Sequence, residues 1–185
     1  MPRTPLPLSL EDSPFAAKAL VALLGSWAIA ASAWVQVPMY PVPMTMQTFA
    51  VLVVGALGGW RLGAATLALY LAQGFVGMPM LAGGAGGPQY FMGPTAGYLL
   101  AFPAAAALAG FLAERGWNRR WPTLLAGFLL GHGVILAGGA AWLATLKGWE
   151  VALTAGVAPF LAATVLKSAL AAATVKAVDR LRKAG

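Results

Sequence analysis

The chain has 185 residues, of which 60% are apolar and 9% charged, and its mean hydropathy is +0.78. Soluble domains carry about 25% charged residues, so this composition excludes an aqueous enzyme, a disordered tail and a coiled coil, and it describes an all-α membrane protein. Twelve Lys and Arg against five Asp and Glu give a net charge of +7, which reads as membrane orientation rather than nucleic-acid binding because most basic residues lie in links and tails.

At ~20 residues per span, the length predicts six transmembrane helices in a single integral membrane domain over residues 1–185. Met1–Pro14 lacks the basic start and cleavage site of a signal peptide and is expected to be a short non-spanning lead. The first span is predicted over residues 15–37, ended by the prolines of "PMYPVP". Span two covers 45–58, opening on the hydroxyl of Thr45 as a candidate N-cap. Trp60 and Arg61 form a tight polar link to span three at 62–76. Gly77–Gly93 is too glycine-rich for a helix, and Pro94 then opens span four at 94–113.

The polar link "ERGWNRRW" precedes span five, 122–146. Span six is taken as 159–182, opening on Pro159, with residues 151–158 as a partly buried outer cap; the alternative start is Val151.

With six spans both termini share one side. That side collects Arg3, Lys18, Arg61, Arg115, Arg119, Arg120, Lys176, Arg180, Arg182 and Lys183, while Lys147 alone marks the other. The positive-inside rule places both termini in the cytoplasm. The outward links are then 38–44, 77–93 and 147–156; they hold Tyr40, Gln89 and Tyr90 and hardly any charge. Long links without regular structure of their own point to a site, here a lidded outward pocket, against the simpler alternative that they only turn the chain.

Lys167 belongs to neither side. A charge inside a span is costly and marks a pathway or ligand. From a start at Pro159 it lies ~12 Å below the outer end of the helix; from Val151 it would lie deep enough to snorkel toward the cytoplasmic headgroups. Thr164, Lys167, Ser168 and Ala171 share one helical face, where the ammonium suits a carbonyl or carboxylate of a small ligand.

Weaker candidates are Gln73 with Tyr70 in span three, and Gln47 with Thr48 in the first turn of span two, where ligand contact competes with helix-to-helix bonding and capping. His132, between two glycines, is read as a packing or interhelical hydrogen-bond residue. Ala22, Ser26 and Ala30 repeat at four-residue spacing on span one, a small face for a helix of the same chain or of another protein.

With no cysteine and one histidine, no disulfide, thiolate nucleophile or metal cluster is expected. There is no phosphate-binding loop motif, dinucleotide fingerprint or Ser/His/Asp set, so no catalytic residue and no cofactor is expected.

The segments "PVPMTMQTF" at Pro41–Phe49, "YLAQGFVGMP" at Tyr70–Pro79, "GPTAGYL" at Gly93–Leu99 and "PFLAATVLKSAL" at Pro159–Leu170 resemble, in order and spacing, the signatures of the BioY family, across nearly the whole chain. BioY proteins are substrate-binding S components of energy-coupling-factor biotin transporters. The resemblance implies a bacterial inner-membrane protein that captures biotin from outside under the first outward link. It implies as partners a transmembrane T subunit and two ATPase subunits, with a first-helix face matched by Ala22, Ser26 and Ala30 docking the T subunit.

The family lysine of helix six falls on Lys167, whereas the acidic residue common three positions earlier is Thr164 here, and Ala96 replaces a glycine of the "GPTGGY" segment. Biotin needs donors and acceptors for its ureido group and a donor for its carboxylate; Lys167, Thr164, Gln73, Gln89, Tyr90, Tyr70, Thr45 and Gln47 are the candidates. The alternatives are an S component for another vitamin and a membrane assembly subunit without a ligand.

Overall fold

A computed structural model describes residues 13–184, with the side chains of the last two left out. The lead at residues 1–12, Arg3 and the Lys183 side chain therefore lie outside the described residues. The helices are α1 (Phe15–Ala33), α2 (Gln47–Phe75), α3 (Ala96–Glu114), α4 (Trp121–Lys147), α5 (Trp149–Thr154) and α6 (Leu161–Ala184). Five helical stretches are long and apolar enough to cross a membrane: α1, α2, α3, α4 and the run from Trp149 to Arg182 that contains α5 and α6.

One of these five is folded back on itself. Gly59 in α2 has φ 78° and ψ 171°, a conformation that interrupts the helix and that glycine adopts without a Cβ penalty. In a straight helix Gln47 and Tyr70 would stand roughly 35 Å apart, yet the Gln47 side chain donates to the Tyr70 hydroxyl. The two arms, 47–58 and 60–75, are therefore antiparallel neighbours. The sequence reading of two helices holds, but the break is Gly59, with Trp60 and Arg61 already helical. Glu114 at the end of α3 stabilises the fold-back: its carboxylate accepts the Trp60 N–H at 3.0 Å, at the positive end of the second arm.

Close backbone approach holds the hairpin against α3. A Cβ on Gly55 would sit 2.3 Å from the Ala106 carbonyl oxygen and one on Gly63 would sit 2.9 Å from the Gly55 Cα. Ala105, Ala106, Ala109 and Ala113 complete this small-residue seam, and all are buried.

Elsewhere the predicted boundaries shift. The first helix ends at Ala33, four residues short of the expected Val37, because Gln36–Val37 (β1) pairs antiparallel with Met44–Thr45 (β2) around the proline-rich loop. The fourth predicted span begins at Ala96 rather than Pro94, and the fifth occupies Trp121–Lys147. Pro159 lies in a short 3-10 turn, Ala158–Phe160, that leads into α6, and of the stretch expected as an outer cap, residues 151–154 belong to the separate helix α5 and 155–157 to a turn. The Gly77–Gly93 link contains no α-helix; it holds two 3-10 turns at Ala82–Gly84 and Pro88–Phe91 and an isolated antiparallel bridge between Leu81 and Ala85.

Candidate ligand site

A cavity of about 500 Å³ lies among α2, α3, α4, α6, the β1–β2 hairpin and the Gly77–Gly93 link. Its size falls in the range of sites that enclose small ligands. Tyr98, Leu99 and Phe102 of α3, Ile135 of α4 and Phe160 before α6 supply apolar wall. Pro41, Val42 and Pro43 of the hairpin loop border it on one side, and Ala82, Gln89 and Tyr90 of the glycine-rich link border it on another.

Tyr98 reaches its place because Gly139 on α4 has no side chain: a Cβ there would lie 2.1 Å from the Tyr98 ring. The Tyr98 hydroxyl then donates to the Gly156 carbonyl at 2.7 Å, tying α3 to the segment between α5 and α6. Trp142 donates through Nε1 to the Gly93 carbonyl at 2.9 Å and fixes the approach to α3.

Lys167 brings the charge. It is 8% exposed, and its Nζ donates to the Thr45 carbonyl at 2.6 Å and to Thr48 Oγ1 at 3.4 Å. No Asp or Glu is among the cavity's lining residues, so this cation faces neutral acceptors only. A buried charge held this way is costly unless a ligand completes its bonding.

Next to it runs an ordered chain of donors. Thr45 Oγ1 donates to Gln47 Oε1 at 2.9 Å and accepts the Gln47 N–H at 3.3 Å, Gln47 Nε2 donates to Tyr70 Oη, and Tyr70 Oη donates to the Met80 carbonyl at 2.9 Å. The start of α2 is thereby coupled to the glycine-rich link.

Of the residues singled out in the sequence, Lys167, Thr164, Thr45, Gln47, Gln89 and Tyr90 come together around this cavity. Tyr70 and Gln73 do not line it. Tyr70 stands behind Gln47 as its support, and the buried Oε1 of Gln73 has no hydrogen-bond partner among the described residues. Thr45 is not the N-cap: Met46 occupies that position and Thr45 belongs to β2. The face of Ala22, Ser26 and Ala30 turns into the chain's own packing; Ala22 and Ser26 are buried and Ala30 partly so, which leaves no exposed small-residue face at these positions.

Thr48, a weaker candidate in the sequence, lines the cavity as well, and Gln36, Tyr98, Phe160 and His132 line it without being expected as ligand residues. His132 makes the interhelical bonds expected of it, and it also reaches the cavity. A polar ring in the middle of the apolar helix α4 was the available signal.

The sequence model of the BioY family matches residues 5–184. A probable biotin transporter BioY of Pyrococcus horikoshii is 39% identical over 139 residues, covering 75% of this chain and 82% of that protein. The biotin transporter BioY of Rhodobacter capsulatus is 36% identical over 181 residues, covering 88% of this chain and 94% of its own length. Among solved structures, the S-component for biotin from an ECF-type ABC transporter superposes with a TM-score of 0.79 at 26% identity, over 92% of this chain and 93% of that one.

Proposed function

Because the chain belongs to the BioY family, a family of transporter S components and not of enzymes, we propose that it is the biotin-capture subunit of an energy-coupled uptake system in the bacterial plasma membrane. The observation that carries this is the Lys167 ammonium facing a largely apolar cavity of about 500 Å³ that no carboxylate lines.

Biotin fits that chemistry by parts. Its fused rings and methylene chain suit Tyr98, Phe102, Ile135 and Phe160, and burial of such surface contributes about 25 cal/mol per Å². Its carbonyl and carboxylate oxygens accept hydrogen bonds and its ureido N–H groups donate them. Lys167 supplies a charge-assisted donor, the amides of Gln47 and Gln89 supply both donor and acceptor, and the Thr164 hydroxyl takes the place where an acid is common in the family.

The site opens outward in this account. The two arms of α2 count as two spans, giving six in one membrane domain with both termini in the cytoplasm, as the basic residues divide by the positive-inside rule. The hairpin loop at 38–43 and the glycine-rich link then form the outer lid. A transmembrane T subunit and ATPase subunits supply the energy, and the exposed apolar side of α1, with Leu20, Leu24 and Trp27, faces lipid or that T subunit.

Equilibrium titration of the detergent-purified chain with biotin tests the assignment. Saturable 1:1 binding, weakened in Lys167→Ala, is expected. Unchanged affinity in the variant removes Lys167 from the site, and displacement of labelled biotin by a different vitamin at lower concentration reassigns the ligand.

A further inference from the structure

Thr48 of α2, His132 of α4 and Lys167 with Ser168 of α6 form one connected set of polar side chains at the cavity. Lys167 Nζ lies 3.4 Å from Thr48 Oγ1, and Thr48 Oγ1 lies 3.2 Å from His132 Nε2. On the other side of the ring, Nδ1 lies 3.1 Å from the Phe128 carbonyl and 2.9 Å from Ser168 Oγ.

The Phe128 end of this set fixes the hydrogen on the imidazole. An ammonium only donates and a carbonyl only accepts. Facing the Phe128 carbonyl, Nδ1 must carry the hydrogen, which it shares with Ser168 Oγ. The Thr48 hydroxyl receives the Lys167 N–H and is left to pass its own hydrogen to Nε2. The Phe128 carbonyl thus sets a neutral Nδ1–H imidazole, and the Thr48 hydroxyl is compatible with it. The opposite tautomer would set a bare Nδ1 against the Phe128 oxygen, and in a dry interior two facing acceptors are expensive.

We propose that His132 is a positioning residue for ligand binding: by taking the Thr48 hydroxyl hydrogen, it turns the Thr48 lone pair toward Lys167 and holds the ammonium at the cavity wall. Of the three ammonium hydrogens, one goes to Thr45 and one to Thr48, leaving one for a ligand oxygen. His132 does this without offering either ring nitrogen to the ligand. The role rests on Lys167 contacting the ligand, as proposed above.

His132 is the only histidine of the chain, so full-length protein labelled with 15N-histidine gives a single pair of ring nitrogen signals with no ligand added. The expected spectrum is that of an Nδ1–H ring, and Thr48→Val is expected to shift the Nε2 signal. Biotin titrations then read the consequence. His132→Leu and Thr48→Val are each expected to weaken binding by about tenfold, the loss of one buried hydrogen bond. In a Lys167→Met background the same changes are expected to cost less than about twofold, because they act through the ammonium. His132→Gln, whose Oε1 can accept from Thr48, is expected to recover most of the affinity lost in His132→Leu.

An Nε2–H spectrum, an Nε2 signal indifferent to Thr48→Val, or equal losses in both backgrounds overturns the proposal. Because the spectra need no biotin, a chain that shows the expected ring but binds no biotin overturns the ligand assignment instead.

Discussion

Lys167 Nζ donates to the backbone carbonyl of Thr45 at 2.6 Å, joining residues 122 positions apart at the wall of one cavity. A carbonyl at the end of β2 thus orients a cation on α6, and the proline-rich hairpin that carries Thr45 also borders the cavity. Displacement of the hairpin would therefore move an acceptor of the ammonium.

Replacing Lys167 by Met keeps the stem and removes the charge. Biotin affinity is expected to fall by about 10- to 100-fold, the loss of a charge-assisted hydrogen bond. Thermal stability without ligand is expected to be unchanged or raised, because a buried charge among neutral acceptors is removed. Calorimetric titration and a melting curve on the same preparation check both; a large loss of stability would make Lys167 a folding residue instead.

Tyr70→Phe deletes the donor to the Met80 carbonyl and the acceptor of the Gln47 amide. The glycine-rich link loses one of its ties to the second arm of α2, while the Gly87 N–H still donates to the Gly74 carbonyl at 2.7 Å. Hydrogen exchange measured by mass spectrometry is expected to quicken at residues 80–87, with little change along α4. Unchanged exchange at the link would show that the Leu81–Ala85 bridge and the backbone bonds of Met78 and Gly87 to the second arm keep it in place without Tyr70.

The helix seam gives a paired test. Gly55→Ala places a Cβ 2.3 Å from the Ala106 carbonyl oxygen, whereas a Cβ on Gly133 meets nothing within 4 Å. Gly55→Ala is expected to cost about 1–3 kcal/mol through overpacking. Gly133→Ala is expected to be neutral or to stabilise by up to about 1 kcal/mol through helix propensity. Melting temperatures in one detergent compare them; equal behaviour would contradict the close approach of α2 and α3.

The absence of cysteine makes orientation directly readable. Tyr40→Cys is expected to react with a membrane-impermeant maleimide added to intact spheroplasts, and Arg120→Cys only after permeabilisation. The reverse pattern would invert the assignment drawn from the basic residues.

Much of the architecture was legible because apolar runs and their breakers dominate this sequence. Pro159 marked the approach to the last helix, and Gly77–Gly93 was correctly kept out of α-helix. The Val37 boundary was not legible: residues 34–37 follow the apolar run of α1, and only pairing with Met44 and Thr45, a nonlocal event, makes Gln36 and Val37 a strand. Lys167 stood out as a lone charge inside a span. Tyr70 and Gln73 share polar character with true lining residues, and nothing in their spacing tells which side of the α2 hairpin faces the cavity. His132 was recognised as a bonding residue but not as a cavity residue, since its relation to Lys167 runs through Thr48 on a third helix.

Equilibrium binding of biotin to the purified, detergent-solubilised chain tests the biotin assignment. One saturable site per chain, with affinity reduced by Lys167→Met and by no surface substitution such as Trp149→Ala, is the predicted result. Absence of saturable binding by the folded, unmodified chain would contradict it.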